Sequence, residues 1–149
     1  MADSTDIKKY IETWYREQLQ KKNPNCVVLQ EKVKLKWGGF FECDAVVKSG
    51  NKIKEIHCLS ISEYKTFSKN YGSGKLNKIR ADALMLLGIN CQKKVLAFTG
   101  KTMYDKINND CKVGRFPNDI DILYIDLNKN KKLLKLISNI VNNSIKELK

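Results

Sequence analysis

The chain predicts an α/β domain with a mixed central sheet flanked by helices, and three observations carry that prediction. Apolar residues recur at helical spacing in some stretches; in others they alternate with polar residues or form short apolar runs; and these patterns follow one another in the order α-β-β-β-α-β-(α)-β-α. Strands that continue through a helix to further strands call for a mixed sheet with helices on both faces. No linker, repeat or low-complexity tract divides the 149 residues, so residues 1–149 read as a single domain.

Thr5 to Lys22 reads as the first helix. Ile7, Tyr10, Ile11, Trp14 and Tyr15 share a stripe, Asp6 sits in the first turn, and Asn23-Pro24-Asn25 stops it. Val27 to Leu29 opens an extended segment in which Val33, Leu35 and Trp37 alternate with lysines, and Gly38-Gly39 turns the chain. Phe40 to Val47 and Lys52 to Leu59 form a hairpin about Ser49-Gly50-Asn51. After a polar stretch from Ser62 to Gly74, Lys75 to Gly88 is helical: Leu76, Ile79, Ala83, Leu86 and Leu87 make the stripe and Gly88 the C-cap. Lys94 to Thr99 is a short strand, Thr102 to Asn109 a short helix, and Ile120 to Leu127 another strand after Pro117. Lys129 to Leu148 repeats Leu133, Leu136, Ile137, Ile140, Val141 and Ile145 at helical spacing. This extra C-terminal helix either covers the sheet or meets a second copy in a homodimer or larger assembly.

Lysine and arginine number 28 against 16 acids, a net charge of +12. A surplus of that size suits a polyanion, through phosphate neutralisation and counterion release. A lysine-rich solvated surface gives the same count. The absence of an 18-residue apolar run predicts no membrane span, and Met1 to Asp6 lacks the pattern of a secretion signal. Five cysteines without a CxxC pair point to reduced thiols rather than a disulfide framework or zinc ribbon, hence to the cytoplasm.

Chemistry concentrates in the hairpin. Side chains alternate along a strand, and directly opposed residues share a face. A Ser49-Gly50 loop pairs Asp44 with Glu55; a Gly50-Asn51 loop pairs Asp44 with His57 and Val46 with Glu55. Either register puts Asp44, Glu55 and His57 on one face. Cys43 and Cys58 then lie on the other, where thiols pack as small apolar groups. A three-residue loop with a bulge would shift the register. Asp is uncommon inside strands, and opposed carboxylates repel unless something neutralises them. Mg²⁺ does so by taking one or two carboxylates and completing its octahedron with water and phosphate oxygens. An amphipathic hairpin with solvent-facing acids is the alternative.

This order of elements, with Asp44 on one hairpin strand and Glu55-Ile56-His57 on the next, resembles the PD-(D/E)XK nuclease superfamily over about residues 5 to 125. The resemblance implies a restriction-endonuclease-like αβββαβ core. It further implies a metal-dependent nuclease that hydrolyses phosphodiester bonds in DNA, with Asp44 and Glu55 holding Mg²⁺ or Mn²⁺. The family's Lys two residues after the Glu, which helps to activate the water, is replaced here by His57, the only histidine. Histidine is largely neutral at pH 7 and does not simply replace an ammonium. Three readings stay open: His57 is a ligand or base of a variant site, the cation has moved to Lys75 or Lys78 on the next helix, or the domain is catalytically inactive and serves nucleic-acid binding or assembly. In some members of the family the first helix adds an acid, here Glu12 or Glu17.

Lys65, Lys69, Lys75, Lys78 and Arg80, interleaved with Tyr64 and Tyr71, form a basic-aromatic stretch suited to a phosphate backbone and stacked bases. A solvated lysine surface is the plain alternative. A small basic protein that binds another protein through its last helix is the remaining reading.

Overall fold

The computed structural model describes residues 4–65 and 72–147. Its elements are α1 (Ser4–Lys22), β1 (Val27–Lys34), β2 (Phe40–Ser49), β3 (Lys52–Ser60), α2 (Ser73–Leu87), β4 (Lys93–Phe98), α3 (Lys101–Lys112), β5 (Ile120–Tyr124) and, after a 3-10 turn at Leu127–Lys129, α4 (Lys131–Glu147). The strands form one five-stranded mixed sheet in the order β1-β2-β3-β4-β5. Tight turns make β1, β2 and β3 antiparallel, whereas α2 and α3 carry the chain back so that β3, β4 and β5 run parallel.

The sheet separates two apolar layers. Val46, Ile56, Cys58, Leu96 and Phe98 pack with Leu76, Ile79, Ala83 and Leu86 of α2 and with Met103 and Ile107 of α3. Ala45, Val47, Leu59 and Ala97 pack with Ile11, Tyr15 and Leu19 of α1 and with Leu133 of α4. Cys43 and Cys58 are buried together on the α2 face, and all five cysteines are free. Ile137 also joins the α1 layer, so α4 covers the sheet; the side chains of Ile140, Val141 and Ile145 lie outside the described residues. Among the described residues, no helix is long and apolar enough to cross a membrane.

Boundaries depart from expectation where side chains intervene. α3 runs on to Lys112, beyond Asn109. β5 ends at Tyr124, before Leu127, because the Asp126 carboxylate accepts the Asn128 N–H and turns the chain. Trp37 leaves the strand for the turn after β1, where its ring lies against Gly88 so closely that no Cβ would fit. The Lys36 N–H donates to the Gly88 carbonyl at 2.7 Å, tying that turn to the end of α2.

The hairpin register separates Asp44 from Glu55 and His57 along the strands. Gly50-Asn51 forms the loop, with Gly50 at φ 60°, and Ser49 faces Lys52 while Lys48 faces Ile53. Lys54 is then bulged out, so that Val47 faces Glu55, Val46 faces Ile56 and Ala45 faces His57. A one-residue slip sends each later side chain to the other face. Glu55 and His57 lie with Ala45 and Val47 toward α1, and Asp44 stands apart from them along the strand. β2 has its own bulge: Leu29 faces Val46 and Glu31 faces Cys43, so Asp44 and Ala45 together oppose Gln30. Ala45–His57 is the last β2–β3 pair, and Asp44 stands at the fork beyond it.

Candidate functional site

Asp44 is fixed by both its side chain and its backbone. Its Oδ2 accepts the Leu59 N–H at 2.7 Å, bridging the gap where β2 leaves β3, and its carbonyl accepts from Arg16 Nη1 at 2.8 Å. α1 brings Glu12 to the same place, 9% exposed and with its carboxyl within hydrogen-bonding reach of Asp44. Burial, then the charge of Asp44, push the Glu12 carboxyl above the usual carboxylate range against the pull of Lys8 and Arg16. Lys8 Nζ lies 3.8 Å from Glu12 Oε1. α2 adds Asp82, whose carboxyl burial pushes up, with Lys78 pulling it down and Asp44 raising it further. A cavity of about 360 Å³ at the C-terminal end of β3 is lined by Lys8, Ser60, Ser62, Lys75, Lys78 and Asp82.

The fork thus brings Asp44 together with Glu12, and Lys75 with Lys78, but not with Glu55 or His57. Glu55 faces Val47, which lies roughly 10 Å along β2 from Asp44 at strand rise. Asp44 and Glu55 therefore do not converge on one ion. Glu17 is exposed and stands apart from the buried Glu12. Arg80 turns toward α3, with Nη2 3.6 Å from Asp110 Oδ2. Lys65 is exposed, and its backbone N–H donates to Thr102 Oγ1 at 3.1 Å. Lys69 and Tyr71 lie outside the described residues. Asp82 escaped the sequence reading. Its spacing of four from Lys78 was the available signal, and ordinary solvated helix pairs share it.

Farther along the hairpin toward its turn, Glu55 and His57 belong to a buried relay. His57 is 3% exposed, with Nε2 3.0 Å from Glu55 Oε1 and Nδ1 2.6 Å from the Tyr15 hydroxyl. Lys93 Nζ lies 3.5 Å from the same Glu55 oxygen. An ionised carboxylate only accepts, so Nε2 carries the hydrogen and donates to Glu55, while Nδ1 accepts from Tyr15. Burial lowers the His57 pKa from its usual 6.5 despite the opposing hydrogen bond and charge of Glu55, so the ring is neutral at pH 7. Burial likewise pushes the Tyr15 phenol up. Both imidazole nitrogens are occupied and the ring is uncharged, so His57 does not supply the cation.

Among the described residues, no three His, Cys, Asp or Glu side chains are arranged to hold a metal ion. The fork offers a pair, Glu12 and Asp44. That suits an ion which keeps several waters, as Mg²⁺ does, rather than an all-protein cage. No protein-family model, curated protein or solved structure matches the chain.

Proposed function

We propose that the chain is a restriction-endonuclease-like domain acting as a metal-dependent nuclease on DNA, with its centre at the β2–β3 fork. The observation that carries this reading is the Glu12–Asp44 pair, two carboxyls pressed together beside lysines where two strands part. At neutral pH such a pair calls for a shared proton or a cation. The element order, with β1 to β3 antiparallel and β4 parallel to β3, supports the fold assignment.

Glu12 takes the ligand role expected of Glu55, and Asp44 keeps its own. A bound Mg²⁺ or Mn²⁺ would supply charge neutralisation at the scissile phosphate and a more acidic water. The chain's own groups do the rest. The Leu59 N–H holds the Asp44 carboxylate in place, and Arg16 holds the backbone beneath it. Lys75 and Lys78 take substrate phosphates in the adjoining cavity, where Ser60 and Ser62 add hydroxyl donors. A cytoplasmic setting suits the five free cysteines.

Plasmid and single-stranded DNA should be cut in Mg²⁺ or Mn²⁺. Asp44→Ala and Glu12→Ala should abolish cutting with the fold intact by circular dichroism, whereas Glu55→Gln should not. Cutting that survives both fork variants, or none with any metal or substrate, overturns the reading.

A nucleic-acid-binding domain without catalysis is the second reading. It is favoured by Cys58 and Ser60, the β3 residues on either side of the Leu59 amide that Asp44 binds, where no further carboxylate stands. It predicts salt-sensitive DNA binding that Lys75→Ala and Lys78→Ala weaken and Asp44→Ala leaves in place.

A further inference from the structure

The tip of the ribbon formed by β1 and β2 carries an arrangement that the fork does not use. Along and just past β1, Val33 and Leu35 turn inward to the α2 layer, while Lys32, Lys34 and Lys36 alternate with them into solvent. Among the described residues, none of these three ammonium groups has a carboxylate partner. Glu42 stands opposite Lys32, and its Oε1 accepts from Gln30 Nε2 at 3.0 Å. Three lysines against that one acid leave the tip basic.

Two aromatic rings accompany the lysines. Phe40 is 67% exposed and Trp37 57%, the most exposed aromatic side chains among the described residues. Phe40 pairs with Lys34 across the ribbon, so ring and ammonium share a face, and Lys32 follows about 7 Å along it at strand rise. Trp37 is held in place: the outer edge of its indole meets Gly88, and the Lys36 N–H donates to the Gly88 carbonyl at 2.7 Å. A ring already fixed loses little freedom when a ligand stacks on it. A row of cations beside exposed rings matches a chain that repeats a phosphate and a flat base. A duplex hides its base faces within its own stack, so only a single strand offers both. A membrane surface would take a ring free to protrude, and Trp37 is pinned to the end of α2.

We propose that the tip of the β1–β2 ribbon binds single-stranded nucleic acid, with Phe40 and Trp37 stacking on bases and Lys32, Lys34 and Lys36 taking phosphates. Every base has a flat face, so this surface tolerates any sequence. The proposal takes its class of partner from the nucleic-acid reading above and does not depend on cutting.

The full chain is titrated in EDTA against a labelled oligothymidylate and a blunt duplex, with anisotropy and tryptophan emission as readouts. Nothing is cut in the chelator, so failure here leaves Asp44-dependent cutting in Mg²⁺ to be judged separately. The single strand should bind at least about fivefold more tightly than the duplex, the scale of one stacked base, and should quench emission. Phe40→Ala should weaken the single strand at least about fivefold and leave the duplex unchanged. Lys34→Ala should lower the salt slope for the single strand by about 0.7. Trp37→Phe keeps a ring beside Gly88 and should lose the quench. Equal affinity for the two DNAs, single-strand binding indifferent to Phe40→Ala, a salt slope unmoved by Lys34→Ala, or a quench that persists in Trp37→Phe would each overturn the proposal. So would Phe40-dependent capture on phosphatidylserine vesicles, or a Phe40-dependent dimer, in place of single-strand binding.

Discussion

The fork at Asp44 and the relay at His57 lie on the same two strands, yet they treat charge in opposite ways. At the fork, burial and the charge of Asp44 raise the proton affinity of Glu12 and of Asp82, while Lys8 pulls both the other way, joined by Arg16 at Glu12 and by Lys78 at Asp82. In the relay, each His57 nitrogen has a partner and the ring stays uncharged. A satisfied buried network fixes a core, whereas crowded groups of one sign respond to a proton, a cation or a substrate. The difference teaches where to look on this hairpin: the histidine, though the rarer residue, is the more settled one.

That comparison breaks most directly at Asp44. If the fork is the proposed nuclease centre, Asp44→Ala should abolish cutting, a fall of at least roughly 10²–10³-fold, the scale of losing a preorganised electrostatic group. It should also cost about 1–3 kcal/mol in urea unfolding, because the Leu59 N–H loses its acceptor. Asp44→Asn should recover the stability but not the turnover, and the pair of measurements separates the two roles.

Tyr15→Phe sharpens the other side. It strips the donor from the buried His57 Nδ1, so unfolding should become easier by about 1–3 kcal/mol while cutting is unchanged. A matching loss of turnover would tie the relay to the fork. Lys78→Ala should then reduce turnover about tenfold, the worth of one charge-assisted contact, with no change in stability.

The smallest effect is that of pH. His57 titrates below 6.5 in the folded chain, because burial and the charges of Lys93 and Lys22 outweigh the pull of Glu55, with neutral Tyr15 on the other nitrogen. Above pH 6.5 both states hold a neutral ring and the contribution is complete. As pH falls, the unfolded chain takes the proton first, and stability declines until the folded pKa is passed. The slope is at most about 1.4 kcal/mol per pH unit. His57→Gln should flatten it in urea unfolding followed downward from neutral pH. Stability that rises on acidification and loses that rise in His57→Gln would mean the folded ring is charged.

The architecture is readable in the chain because each pattern meets its own layer. Leu76, Ile79, Ala83 and Leu86 keep helical spacing under one face of the sheet, and Ile11, Tyr15 and Leu19 do so under the other. The site is only half readable. Asp44 announces itself as an acid inside a strand. The bulge at Lys54 does not, since neither Gly nor Pro marks it. The residues that follow, Ile56 to Leu59, are buried on both faces, so apolar pattern cannot report which way each points. Glu12 and Glu17 look alike on a helix, and only tertiary packing buries the first. The role of His57 follows from Tyr15, 42 residues away, and no local spacing discloses that partner.

The closeness of Trp37 to Gly88 has a mechanical side. The indole and the Lys36–Gly88 hydrogen bond make a pivot at one end of α2, and Lys78 rides the same helix roughly 15 Å up the axis. The turn that serves as bearing is also the one that launches β2, the strand carrying Asp44. Helix and strand thus share one anchor, and the placing of Lys78 relative to Asp44 is gauged from a glycine far from either. A side chain at that glycine would act on the lever arm and be felt at its far end.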